Sequence, residues 1–107
     1  MPAARAFAPD LVLVSAGYDA HRADPLADCM LETSSFGELA RHVRDLAAER
    51  GVPLGVVLEG GYEPVSLAQS VRETLLALGD DRPPPAAPEE LPETRRAVAQ
   101  LSPFWAL

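Results

Sequence analysis

Two unbroken apolar runs punctuate the first half of the chain, Leu11-Val12-Leu13-Val14 and Leu54-Gly55-Val56-Val57-Leu58. Neither alternates with polar residues, the pattern of strands covered on both faces in a parallel sheet. The first predicts a strand over residues 11–16, introduced by Pro9-Asp10, and the second a strand over residues 54–58. Between them Phe36, Leu39, Ala40, Val43, Leu46 and Ala47 recur at helical spacing on one face, with Arg41, Arg44, Asp45 and Arg50 mostly on the other. Thr33, Ser34 or Ser35 is suited to cap the start of that helix, and Glu38, three residues after Ser35, completes a capping-box pattern. Gly51 suits the helix end and Pro53 bars its continuation. After the second strand Pro64 suits the first turn of another helix, which carries Val65, Leu67, Ala68, Val71, Leu75, Leu76 and Leu78 and ends near Gly79. Residues 20–33 hold charges, a proline and Met30-Leu31 and read as a long loop, a kind of segment that is often functional inside a domain.

Strand, helix, strand, helix is the βαβα grammar of a parallel α/β sheet. It occupies residues 1–81. A stiff proline-rich connector follows over 82–91, and then a segment over 92–107 with an amphipathic helix from about Pro92 to Leu101, closed by Pro103-Phe104-Trp105. Two parallel strands bury little by themselves, and both are sheet edges, which template aggregation unless covered or paired. The expectation is that these residues are the carboxyl-terminal part of a larger α/β domain, or that the chain associates to complete one. An opening at Met1 only a few residues before a buried strand agrees with that.

With 107 residues the chain suffices for one domain, and 48% hydrophobic residues is a folded rather than a disordered composition. The net charge of −7 sets 16 acids against nine bases, all of them Arg. That balance argues against nucleic acid and anionic membranes as partners, since phosphates are contacted chiefly by clustered Lys and Arg. No apolar run approaches the roughly 20 residues that span a bilayer, and the first seven residues lack the apolar stretch of a signal peptide. Cys29 is the single cysteine, which excludes an intrachain disulfide and fits a reducing compartment; a cytoplasmic location is expected.

The candidate chemistry lies just past the two strands, where ligands bind in open α/β sheets. Asp19 is either a hard oxygen ligand for a divalent metal or a carboxylate capping a turn. His21, two residues on, would lie on the same side of an extended backbone and makes a tempting Asp-x-His pair, although catalytic zinc usually takes three protein ligands. Tyr62 follows Gly60 and Gly61, which permit a close approach of substrate. Its phenol is either a donor to a developing oxyanion or the packing residue of a glycine-rich turn. Glu59 reads as a structural carboxylate or a general base, Cys29 as an ordinary thiol, and His42 as a surface residue.

Residues Pro9 to Leu26, with Ser15-Ala16-Gly17-Tyr18-Asp19-Ala20-His21-Arg22 at their centre, closely resemble the third zinc-ligand segment of the histone deacetylase superfamily. Val57-Leu58-Glu59-Gly60-Gly61-Tyr62 through Leu67-Ala68-Gln69-Ser70-Val71 resembles its catalytic-tyrosine segment, in the family's order and spacing. The flavour is that of class II and bacterial members, including acetylpolyamine amidohydrolases and acetoin-utilisation proteins. The resemblance covers roughly residues 7–80 and implies the parallel-sheet, three-layer arginase/deacetylase fold. It implies Asp19 as a zinc ligand, Tyr62 as the tyrosine that hydrogen-bonds the substrate carbonyl, Gly60 and Gly61 as shaping the site, and Leu26 as lining the acyl-lysine tunnel. His21 matches a histidine that is not a zinc ligand. The implied reaction is zinc-dependent hydrolysis of an acetyl-lysine or acetylpolyamine amide, and a cationic substrate of that kind is electrostatically compatible with the acidic chain. Two departures are large. The tandem His-His that serves as general base and acid is missing, as is the upstream Asp-x-His segment that supplies the other two zinc ligands. The expectation is therefore that the chain alone neither binds zinc tightly nor catalyses. A non-enzymatic remnant that self-associates or docks on a partner, and a chain complemented by a separate amino-terminal segment, are the alternatives.

Overall fold

The two apolar runs pair with each other. In the computed structural model, which describes residues 2–86 and 91–104, β1 (Val12–Gly17) and β2 (Leu54–Gly60) form a two-stranded parallel sheet. Val12 stands opposite Leu54, Val14 opposite Val56 and Ala16 opposite Leu58. The next pair is Gly17 with Gly60, so Glu59 is an extra residue on β2 and the strand bulges there. The expected end of β2 at residue 58 is thus two residues short, because the ladder resumes beyond the bulge. Met1, residues 87–90 of the connector and Trp105 of the expected closing segment lie outside the described residues.

The lead before β1 contains a short helix, α1 (Pro2–Phe7), which Arg5 ties to Glu49 with a 2.7 Å ion pair. Helix α2 (Thr33–Arg50) ends where Gly51 takes φ 65°. Its start differs from expectation. The residue that caps it is Glu32, and Ser35 in the first turn accepts the Glu32 N–H through its hydroxyl at 3.3 Å. The loop dictates this: Leu31 is pinned between the Ala20 carbonyl and the Arg22 N–H at 3.1 and 2.9 Å, so the chain must turn into the helix immediately afterwards. Helix α3 (Pro64–Gly79) is capped by the Glu63 carboxylate, which accepts from the Val65 and Ser66 amides, and Pro64 occupies the first turn as expected. Helix α4 (Pro92–Leu101) matches its predicted span.

The two central helices pack on each other through small residues. Ser66, Ser70, Thr74 and Ala77 of α3 are buried, and a Cβ on Gly37 of α2 would stand 3.4 Å from the Glu73 carbonyl. The predicted apolar stripe of α3 is therefore only partly used: Leu67, Val71 and Leu78 are half-buried, while Val65, Leu75 and Leu76 stay exposed. Arg41 and Arg44, expected on the solvated face of α2, instead clasp the end of α3. Arg41 is buried and donates to the Asp80 carboxylate at 2.9 Å, while Arg44 reaches the carboxylate at 2.9 Å and the Ala77 carbonyl at 2.8 Å. The helices cover one sheet face, where Val14, Ala16 and Val56 share an apolar cavity with Phe36, Ala40 and Leu78. On the opposite face Leu13 and Val57 are 66% and 54% exposed. The expectation of strands covered on both faces is met only in part among the described residues: Ala4 and Phe7 of α1 and Leu101 of α4 line a cavity beside Leu13, which nevertheless stays exposed, as does Val57.

Candidate active site

Tyr18 anchors the turn that carries Asp19. The tyrosine is buried, its ring lies 5.1 Å from that of Phe36, and its hydroxyl donates to Thr74 Oγ1 at 3.1 Å. Thr74 donates in turn to the Ser70 carbonyl at 3.0 Å, so the Tyr18 and Thr74 hydroxyls form a hydrogen-bonded chain into α3. With Tyr18 held, the one-turn 3₁₀ segment Tyr18–Ala20 sets the half-buried Asp19 across the carboxyl ends of both strands. A Cβ built on Gly60 would lie 2.5 Å from Asp19 Oδ1, and one on Gly17 would lie 2.8 Å from it. The two facing glycines leave the space that the carboxylate fills.

Beyond Gly60 the chain turns sharply. Gly61 has φ 134°, and a Cβ there would meet Leu67 Cδ1 at 2.7 Å and Tyr18 Cβ at 3.0 Å. This turn presents Tyr62 with 57% of its surface exposed. The Tyr62 N–H donates to Asp24 Oδ2 at 2.7 Å, and the other carboxylate oxygen accepts from the Leu26 N–H at 2.9 Å. Leu26 itself is exposed. Burial pushes the Asp24 carboxyl upward, but the amides of Tyr62, Leu26, Ala27 and Glu63 outweigh it and hold the group below its ordinary value.

The sequence-derived residues thus fall into two linked groups. Asp19 lies against Gly17 and Gly60, while Tyr62 and Leu26 are joined through Asp24. His21 belongs to neither. Its Nδ1 accepts from the Ala23 N–H at 3.1 Å, which assigns the proton to Nε2 facing Thr33 Oγ1 at 3.1 Å, and the ring stacks on Phe36. Both nitrogens are committed, so His21 braces the loop beside Asp19. Glu59 is exposed at the bulge, and Cys29 is exposed in the loop. Asp24 was missed because its partner Tyr62 is 38 residues away. A local signal existed in Asp24-Pro25-Leu26, since an Asp that accepts from the amide two residues on makes a common turn.

Among the described residues no three His, Cys, Asp or Glu side chains stand together so as to hold a metal ion. Asp19 offers one carboxylate, and His21 is engaged with Ala23 and Thr33. No helix among the described residues is long and apolar enough to cross a membrane.

The parallel sheet thus carries a cradled aspartate past the end of β1 and a tyrosine after a double glycine past the end of β2. Residues 1–78 match the histone deacetylase domain model, and the chain belongs to that family. It is 51% identical over 77 residues to histone deacetylase 10, chloroplastic, of Oryza sativa, covering 71% of this chain and 17% of the relative. To the human polyamine deacetylase HDAC10 it is 40% identical over 111 residues, covering 98% of the chain and 16% of the relative. The crystal structure of the HDA15 HD domain superposes with a TM-score of 0.77 at 33% identity, over 98% of this chain and 28% of that one. The fold is thus α/β and corresponds to a portion of the deacetylase domain. The chain spans about a sixth of the length of these curated relatives, which come from a plant and an animal.

Proposed function

We propose that these residues form the carboxyl-terminal part of a zinc-dependent amidohydrolase acting on an acetyl-lysine or acetylpolyamine amide, and that the 107-residue chain is inert by itself. The observation that carries the reading is the seating of the Asp19 carboxylate between Gly17 and Gly60, two residues before the exposed Tyr62. Asp19 would be one of the zinc ligands, with the remaining donors coming from outside this chain. Tyr62, delivered by the Gly61 turn, would donate its phenolic hydrogen to the oxygen that gains charge as the amide carbonyl is attacked. Such donors act where charge develops, and removing one costs roughly 100- to 1,000-fold in rate. Leu26 would give the acyl chain an apolar wall, and the charge of −7 suits a cationic substrate while disfavouring nucleic acid and anionic membranes. A cytoplasmic location belongs to the same proposal.

Two preparations test this. The purified chain, given zinc, is expected to leave an acetyl-lysine peptide and an acetylated polyamine intact; hydrolysis abolished by chelator and by Tyr62→Phe would overturn its inertness. A chimera in which these residues replace the equivalent segment of a complete deacetylase domain is expected to be active, and Tyr62→Phe is expected to reduce its kcat by roughly 100- to 1,000-fold. A chimera indifferent to Tyr62→Phe removes the tyrosine from the chemistry.

The open sheet face favours a second reading, a non-enzymatic remnant completed by self-association or by a partner, since Leu13 and Val57 lie uncovered there. Sedimentation at low concentration separates the two. A discrete, cooperatively unfolding species supports the remnant, and an aggregating chain supports the incomplete enzyme.

A further inference from the structure

Among the described residues Asp24 is the one buried acid, at 8% exposure, and the oxyanion chemistry proposed above makes no use of it. Its position is rigid. The Asp24 N–H donates to the His21 carbonyl at 2.9 Å, and the His21 ring is fixed in turn by Ala23 and Thr33. From that anchored backbone the carboxylate spreads its two oxygens to two separate segments, Oδ1 to the Leu26 N–H at 2.9 Å and Oδ2 to the Tyr62 N–H at 2.7 Å. Bonds from amides to an ionised acceptor are short and strong.

The need for such a tether follows from Gly61. Tyr62 is joined to β2 through a residue at φ 134°, where the backbone has the freedom that only glycine allows. A phenol on that pivot has no fixed aim unless the residue after the glycine is held by something else, and its own side chain is mostly exposed. The Asp24 carboxylate takes hold of Tyr62 at the first N–H beyond the pivot. The same group holds Leu26, whose side chain is 71% exposed and has little packing of its own.

We propose that Asp24 is a positioning residue: its carboxylate locks the backbone of Tyr62 to that of the Leu26 turn, so that phenol and apolar wall are presented to substrate as one unit. The inference rests on the reading of Tyr62 and Leu26 as substrate-facing residues, and deepens it by naming what sets their mutual placement. It also accounts for a charged group kept in a buried position, since only an ionised carboxylate has the acceptor capacity for amides converging from two segments.

Residue-resolved amide exchange on the full chain tests the tether without any turnover. In the unaltered chain the Tyr62 and Leu26 amides are expected to be protected. Asp24→Ala is expected to speed exchange at both by about ten- to a hundredfold, with Val14 in β1 and Leu46 in α2 unchanged. Asp24→Asn retains a single carbonyl oxygen, so one of the two amides should stay protected while the other loses its protection. If Asp24→Ala loosens the whole fold, Asp24→Asn decides, because its volume is conserved. Random-coil exchange at Tyr62 in the unaltered chain, wild-type exchange at both amides in Asp24→Asn, or an even loss of protection across the chain in both variants each overturns the proposal. Tyr62→Phe keeps the backbone amide, so a failed catalytic role for the phenol would leave these rates as they are and the two failures are distinguishable.

Discussion

Asp19 occupies the space that a side chain on Gly60 would fill: Oδ1 lies 2.5 Å from the position of a Cβ there, and the carboxylate carbon lies 2.9 Å from it. The aspartate and the glycine are therefore a single unit contributed by two strands. Gly60→Ala is expected to expel the carboxylate and, in the chimeric domain, to lower activity by roughly 100-fold, the scale of a misplacement of about 1 Å. Gly55→Ala is the control. Its Cβ would meet the tip of the exposed Leu13 side chain at 2.8 Å, which can swing aside, so activity should be retained. Steady-state kinetics of the two variants checks the contrast.

The Tyr18–Thr74 bond predicts an asymmetry in stability. Tyr18→Phe leaves the Thr74 hydroxyl still donating to the Ser70 carbonyl and should destabilise by about 0.5–1.5 kcal/mol. Thr74→Val leaves the buried Tyr18 hydroxyl without its acceptor and should cost about 1–3 kcal/mol. Denaturant midpoints of the two variants would show the order, and equal losses would contradict it.

Asp80 predicts acid sensitivity. Hydrogen bonding from Arg41 is the largest influence on its carboxyl; partial burial opposes it, and Arg82 and Arg44 reinforce it, so the group is held far below its ordinary 3.8. A carboxyl whose folded value is depressed adds stability that is present above the unfolded value and is lost as pH falls toward the folded one. Thermal midpoints should therefore be flat near neutrality and fall below about pH 4. Asp80→Asn should lower the midpoint at pH 7 and flatten the acid limb.

The uncovered sheet face predicts concentration-dependent association. Val57→Arg places a charge among the exposed apolar residues without touching the helix face, and charged edges discourage strand-to-strand pairing. Sedimentation velocity should show smaller species for this variant than for the unaltered chain at equal concentration.

The elements announced by local chemistry were readable from the chain. Gly51 and Pro64 marked a helix end and a helix start, the two apolar runs marked the strands, and the paired motifs marked the family. What escaped depended on residues that meet only through space. Arg41 looked solvated because helical periodicity sees its own helix and not Asp80, 39 residues on. The buried face of α3 was misjudged because Ser66, Ser70 and Thr74 satisfy the close approach of two helices better than leucines do, a preference that hydropathy does not register. Asp24 was hidden for the same reason, its second partner being contributed by the opposite strand end.

The bulge at Glu59 makes that position one that is counted rather than read. The residue is exposed, so exchanging its side chain for another is expected to leave the site as it is. Removing it would keep every earlier pairing from Val12–Leu54 to Ala16–Leu58, yet the loss of the extra residue would undo the bend that aims the following chain. Gly60 would no longer be delivered against Asp19, nor Tyr62 toward Asp24. A position expected to tolerate an exchange of side chain but not a gap carries its functional constraint as a length.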